Sequence, residues 1–401
     1  MSPVRRRFDD VRPLPTIDDV VRAEAPHEPL HCLRPHVIAK AARAFVSGFR
    51  GSVLYAVKCN PEPRVLRALW DGGIRHFDCA SPAEVALVRQ MFPTAEIHYM
   101  HPVKARPAIR EAWQRHGVSD FVLDAEDELA KILAETHGAP LRRPGLIVRL
   151  AVANGGTYDL SGKFGAAPEE AARLLAAARP HAGRLGVSFH VGSQCLDPAA
   201  YAAALARAAA VIEAAGVPVD VIDVGGGFPV SYPDVTPPPL AAYGAAIEAE
   251  RRRLGFDGIE FWAEPGRALV AAGTSVVVQV QMRRGDALYI NDGVYGSLSD
   301  AGAPRFRFPA RLIRQQPRPA ADDVPFRFYG PTCDSADRMD GPFLLPADVC
   351  EGDWIEIGQL GAYGAALRTA FNGFDRARLV EVVDEPLLAT PGYPLRTRAA
   401  A

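Results

Sequence analysis

Eight short apolar runs, each closed by polar or glycine residues, recur through the first two-thirds of the chain, at 53–57, 76–79, 96–100, 120–123, 145–150, 186–191, 219–224 and 259–264. Their lengths and residue types suit strands, and the segments between them have helical spacing, as in 83–91 and the alanine-rich 168–178 and 199–214. Strands that alternate with helices every roughly 25 to 40 residues describe the crossover units of a parallel sheet. Eight such units predict closure into a (β/α)8 TIM barrel, an α/β fold whose chemistry gathers at the C-terminal ends of the strands. Those ends carry Lys58, Asp78, Arg149, His190, the triplet Gly225-Gly226-Gly227 and Glu264.

Beyond Arg267 the alternation stops. Runs at 274–282, 287–291, 306–314, 326–329, 354–357 and 379–383, punctuated by Pro and Gly, predict a second, mainly antiparallel β domain. The expected division is a barrel over 36–270 and a β-rich domain made of 1–35 with 271–401. At 401 residues, 48% hydrophobic and 23% charged, the chain is long enough for both. A net charge of −2 gives no electrostatic reason to bind nucleic acid or an anionic membrane, and no apolar run approaches a membrane span. The basic start, Arg5-Arg6-Arg7, lacks the apolar stretch of a secretory signal. Six cysteines without paired metal spacing suggest reduced thiols, hence a cytoplasmic protein with no metal site.

Lys58 follows the run Val53-Leu54-Tyr55-Ala56-Val57 and precedes Cys59-Asn60-Pro61. An ammonium drawn toward an apolar interior loses hydration, so its pKa is expected to fall and the amine to become nucleophilic. The bland alternative is a strand-end lysine reaching water. At the other end of the predicted barrel, Gly225-Gly226-Gly227 follows strand seven, and Glu264-Pro265-Gly266-Arg267 follows strand eight. Loops at those positions are the usual phosphate-binding place of the fold, because bare backbone N–H groups can approach an anion, and Arg267 adds charge. A lysine, a phosphate cradle and a carboxylate placed like this describe a pyridoxal phosphate site. The amine can form a Schiff base with the aldehyde, and Glu264 can keep the pyridine nitrogen protonated.

Nine ordered motifs then resemble the fold type III, alanine racemase-like pyridoxal phosphate decarboxylases, in their ornithine/lysine decarboxylase branch. They are Tyr55-Ala56-Val57-Lys58-Cys59-Asn60, Phe77-Asp78-Cys79-Ala80-Ser81, Lys163-Phe164-Gly165, Ser188-Phe189-His190-Val191-Gly192-Ser193, Asp223 to Pro229, Glu264 to Arg267, Asn291 to Ser297, Gly330-Pro331-Thr332-Cys333-Asp334-Ser335-Ala336-Asp337, and Gly361-Ala362-Tyr363 with Phe371-Asn372-Gly373-Phe374. The resemblance runs from about residue 37 to 374. It implies that Lys58 carries pyridoxal 5′-phosphate, that His190 stacks on its ring and that Glu264 pairs with the ring nitrogen. Ser193, Gly226, Gly227, Gly266, Arg267 and Tyr363 would hold the phosphate, with Asp78 and Arg149 nearby. Cys333 and Asp334 would arrive from the second subunit of a homodimer, Cys333 returning a proton to Cα. Lys163 would lie at the same interface.

The implied reaction is decarboxylation of a basic L-amino acid, ornithine or lysine, to a diamine and CO2 through an external aldimine, a step of polyamine biosynthesis. At the substrate's far end the chain departs from the family. An acid expected several positions beyond Tyr295-Gly296-Ser297 comes early, as Asp300, and Arg305 follows. Asp300 and Asp334 are therefore the expected anchors for a distal ammonium, with Phe371 among the substrate-binding positions. Arg305, if it points inward, favours an acidic or neutral substrate instead. A racemase on the same barrel would lack the Cys333-Asp334 pair, and a non-catalytic regulator would not need Lys58.

Overall fold

The structure is a computed structural model, and it describes residues 14–137, 142–158, 162–314 and 316–388. The basic start of the chain lies outside them. All eight apolar runs form strands of one closed parallel barrel: Ser52–Ala56, His76–Cys79, Glu96–Tyr99, Asp120–Leu123, Gly145–Arg149, Arg184–Ser188, Val221–Asp223 and Glu260–Ala263. Closure is made where Trp262 and Ala263 of the eighth strand pair with Ser52 and Val53 of the first.

Local chemistry explains the strand-to-helix exits. After the second strand, the Ser81 side chain accepts from the Glu84 backbone N–H at 3.2 Å, and the Glu84 carboxylate accepts from the Ala80 N–H at 2.6 Å. With Pro82 in the first helical turn, these bonds start the helix Pro82–Met91 and stop the strand one residue past Asp78. Inside the barrel, Leu54, Met100, Val122, Ile147, Val221 and Trp262 form a layer of buried side chains. Burial of each is worth about 1.5–3 kcal/mol, which makes the barrel a packed core with chemistry only at its rim.

The second domain is an eight-stranded sheet. Its main path runs Ala310–Ile313, Trp354–Ile357, Thr274–Arg284, Ala287–Ile290, Asp323–Tyr329, Arg338–Pro346. The strand Leu30–Leu33 pairs antiparallel with Thr274–Arg284 and parallel with Arg378–Glu381. The expectation of a mainly antiparallel sheet holds, with two parallel pairs, this one and Ala287–Ile290 against Asp323–Tyr329. Arg34, just past Leu30–Leu33, is fully buried and donates to Ser275 Oγ at 2.9 Å, Glu356 Oε1 at 3.0 Å and the Asp384 carbonyl at 2.9 Å. Among the described residues no helix is long and apolar enough to cross a membrane.

Candidate active site

A cavity of about 380 Å3 opens at the C-terminal ends of the barrel strands, within the range of small-molecule sites. Lys58 enters it from the single 3-10 turn Val57–Cys59 that follows the first strand. Three bonds fix that turn. Tyr55 Oη donates to the Asn60 carbonyl at 3.0 Å, Asn60 Nδ2 donates to the Gly361 carbonyl at 2.8 Å, and the Tyr363 N–H donates to the Cys59 carbonyl at 2.9 Å. The last two come from the second domain, which thereby braces the lysine.

Ala56 and Asp78 are paired in the parallel register of the first two strands, so the lysine two residues on reaches the neighbouring carboxylate. Lys58 Nζ donates to Asp78 Oδ2 at 2.7 Å, and Asp78 is fully buried. This corrects the expectation of a lowered lysine pKa. Burial does oppose the charge, but the fields of Asp78 and Glu264 outweigh it and hold the pKa above its ordinary value. The resting group is an ammonium.

Glu264 and Asp223 leave the ends of strands eight and seven side by side. Burial, then the neighbouring carboxylates, push Glu264 far above the usual carboxylate range; burial raises Asp223 to about 6. Both shifts favour a proton held between the two carboxyls. Asp223 stands in the quoted motif but was not expected as a site residue; its place on the last position of a barrel strand is the signal that could have found it. His190 is shifted the other way, to about 3, by burial first and then by the positive fields of Arg149 and Lys58. Its Nδ1 accepts the Gly192 N–H at 3.0 Å, leaving a neutral imidazole beside the cavity.

The cavity wall also includes Arg149, Lys163, Phe164, Ser193, Gly226, Gly227, Gly266, Arg267 and Tyr363. Gly225 and Gly227 have φ of +69° and +95°, and a Cβ on Gly227 would stand 2.4 Å from the Gly192 carbonyl oxygen. A Cβ on Gly226 would lie 2.7 Å from the Glu264 carbonyl oxygen and 3.0 Å from His190 Nε2. Only glycine lets the two loops approach this closely, and the Glu264 N–H bonds the Gly225 carbonyl at 2.8 Å across the gap.

The other expected residues are not in this wall. Arg267 Nη2 pairs with Asp300 Oδ2 at 2.8 Å, so the acid expected to anchor a distal ammonium is held by an arginine of the cavity wall instead. Arg305 is exposed, with φ +57°, and does not line the cavity, so the inward placement considered for it is not what the fold produces. Cys333 and Asp334 are exposed on the second domain. There the Cys333 N–H and Sγ donate to Asn372 Oδ1 at 3.2 and 3.3 Å, Tyr295 Oη donates to Asp334, and the Phe371 ring packs 4.9 Å from that of Tyr295. These residues form one patch, away from the chain's own Lys58 cavity.

The site fits pyridoxal phosphate on its own atoms. Arg267 Nε in the cavity wall, and Asp78 Oδ1 and Asp223 Oδ2 behind Lys58 and Glu264, are buried without a hydrogen-bond partner, so polar groups at and next to the cavity are unspent within the protein. An amine, a glycine cradle with an arginine, and a proton-bearing carboxyl pair match the aldehyde, phosphate and pyridine nitrogen of the cofactor.

Comparison with known proteins agrees. Residues 36–271 match the family described as "Pyridoxal-dependent decarboxylase, pyridoxal binding domain". The chain is 34% identical over 367 residues to an ornithine decarboxylase of Panagrellus redivivus, covering 84% of this chain and 81% of that one. Among solved structures it superposes on the arginine decarboxylase of Paramecium bursaria Chlorella virus with a TM-score of 0.81 at 27% identity, covering 91% and 99% of the two chains. A lysine/ornithine decarboxylase of Vibrio vulnificus, crystallised with putrescine, gives a TM-score of 0.78 at 32% identity, covering 91% and 97%. The lysine, the cradle and the carboxyl pair thus stand in a chain that belongs to the pyridoxal-dependent decarboxylases, with pyridoxal 5′-phosphate as its cofactor.

Proposed function

We propose that this enzyme decarboxylates a basic L-amino acid, ornithine or lysine, to a diamine and CO2, as a cytoplasmic homodimer that feeds polyamine synthesis. One observation carries the reading. Among the described residues lining the cavity, Glu264 is the only acid, and it faces the cofactor machinery, while Cys333 and Asp334 lie exposed on the second domain. Cys333 and Asp334 of the partner subunit would complete each site, giving it a proton donor and a carboxylate for the distal ammonium. The names of the relatives, which include ornithine, lysine/ornithine and arginine decarboxylases, support a cationic substrate.

In this reading the bound cofactor supplies an electron sink for the pair left on Cα when carbon dioxide departs. The protein does the rest. Asp78 holds Lys58 Nζ at the cavity and is the nearest acceptor for the proton that the amine must shed. Glu264, whose burial favours its protonated form, would keep a proton at the ring nitrogen, and the neutral His190 would lie against the ring without adding charge. Gly226, Gly227, Gly266, Ser193, Arg267 and Tyr363, which line the cavity, would hold the phosphate, with Arg149 nearby. Cys333 Sγ of the partner subunit carries the proton that returns to Cα.

A carbon dioxide release screen over ornithine, lysine, arginine, histidine, glutamate and diaminopimelate, in L- and D-forms, tests the substrate. Faster turnover of L-ornithine or L-lysine than of every acidic or neutral candidate is expected. Turnover of an acidic substrate alone, abolished by Arg305→Ala, would show the distal group to be misread. Shared sites are tested by mixing Lys58→Ala with Cys333→Ala subunits. Random exchange restores up to about one quarter of wild-type activity if each site uses both chains; no recovery after demonstrated exchange places each site within one chain.

A further inference from the structure

The guanidinium of Arg267 is held by an ion pair, a hydrogen bond and two aromatic rings. Nη2 pairs with Asp300 Oδ2 at 2.8 Å, Nη1 donates to Tyr232 Oη at 2.9 Å, and the group lies 4.8 Å from the Phe306 ring centroid and 5.2 Å from that of Tyr363. Its Nε has no partner, although the side chain is only 6% exposed and lines the cofactor cavity. Asp300 is itself 15% exposed and absent from the cavity wall. Tyr232 and Asp300 come from two unrelated loops, one following the glycine triplet and one belonging to the second domain.

We infer that Asp300 and Tyr232 are positioning residues for the cofactor's phosphate, acting through Arg267, and that Asp300 does not read the distal end of the substrate. The inference rests on the pyridoxal phosphate assignment and is independent of which amino acid is decarboxylated. An arginine side chain free to sample rotamers loses conformational entropy when it clamps an anion. An ion-pair partner, one hydrogen-bond acceptor and two aromatic faces remove that loss in advance, leaving Nε–H without a partner and free to meet the phosphate. The carboxylate also ties the second domain to the cofactor site through Arg267, because Asp300 belongs to the short 3-10 turn Ser299–Ala301.

The test compares equilibrium binding of pyridoxal phosphate with that of pyridoxal, which lacks the phosphate, to the apoenzyme. Asp300→Ala is expected to weaken pyridoxal phosphate about tenfold and Tyr232→Phe about threefold, each leaving pyridoxal within about twofold. Asp300→Asn, which keeps an acceptor for Nη2, should recover most of the affinity. Circular dichroism and urea midpoints confirm folding, and if Asp300→Ala does not fold, Asp300→Asn and Tyr232→Phe carry the test. At saturating cofactor, the ratio of kcat/KM for ornithine to that for norvaline, which lacks the distal amine, should be unchanged in Asp300→Asn. Equal or tighter pyridoxal phosphate binding in Asp300→Ala, or in Tyr232→Phe where only that variant folds, would overturn the inference. So would a collapse of the ornithine-to-norvaline ratio in Asp300→Asn. If neither amino acid is a substrate, the diamine reading fails while the two cofactor affinities still decide this one.

Discussion

The two ends of the barrel bury charge in different ways. At the N-terminal end, His98 Nδ1 lies 3.0 Å from Asp120 Oδ2, and His76 Nδ1 lies 3.1 Å from His98 Nε2. Arg184 reaches Asp120 at 3.4 Å, and Glu260 accepts from Trp262 Nε1 at 2.7 Å and Ser52 Oγ at 3.1 Å. No cavity among those described is lined by this cluster. At the C-terminal end Asp78 Oδ1 and Asp223 Oδ2 are unpartnered, each beside a residue that does line an open pocket, Lys58 and Glu264. Buried charge by itself does not mark an active site. Buried charge that adjoins an open cavity with hydrogen-bonding capacity unspent is the stronger sign, because a ligand can reach and satisfy it there.

Substitutions at the two ends should therefore separate activity from stability. Lys58→Ala is expected to reduce turnover by on the order of a thousandfold or more and to abolish the absorbance near 420 nm of the protonated imine. Normal turnover with that band retained would remove Lys58 from the chemistry. Glu264→Gln should lower kcat by roughly a hundred- to a thousandfold. Stability should hold or rise, since an amide replaces one of two adjoining buried carboxyls. Wild-type kcat in this variant would show that the ring nitrogen needs no acid here.

At the closed end the order reverses. Asp120→Ala strands a buried imidazole and Arg184, and should destabilise the fold by about 3–5 kcal/mol in urea titration. The folded fraction should keep its kcat within about twofold; a large fall in kcat with unchanged stability would break the contrast. The smallest effect is in pH. Burial, then the neighbouring His98, lowers His76 to about 4, against about 6.5 in the unfolded chain. Below pH 6.5 the unfolded state takes up the proton first, so stability is full above that pH and is lost as pH falls toward 4. The slope is at most about 1.4 kcal/mol per pH unit for this group. His76→Gln should flatten the dependence of the urea midpoint between pH 6.5 and 4, and an unchanged slope would show that His76 is not its source.

Much of the architecture is legible in the chain because barrel strands are buried on both faces and read as apolar runs. Other strands escape for stated reasons. Arg338–Pro346 carries Gly341 and Pro342 in its middle and ends on Pro346, a composition that argues against a strand unless it lies at a sheet edge, where this one ends the path. The three-residue strands Gly156–Tyr158 and Ser193–Cys195 are too short for a period to show.

The site divides similarly. Residues at strand ends, such as Lys58, Asp78, His190 and Glu264, are found by position alone. The charge state of Lys58 is not, because the apolar run before it is visible while the carboxylate that reverses its pKa lies twenty residues away and meets it only through strand register. Asp300 shows the same limit. Its distance from Ser297 along the chain suggests a substrate anchor, whereas its partner, Arg267, is set by how the second domain seats on the barrel.

The central claim is that one lysine, at the end of the first barrel strand, holds the cofactor. Borohydride reduction of the enzyme reconstituted with pyridoxal phosphate, followed by proteolysis and peptide mass mapping, tests it most directly. The account predicts one phosphopyridoxyl group per chain, on Lys58. Stoichiometric label on Lys163 or Lys104, with Lys58 unmodified, would contradict it.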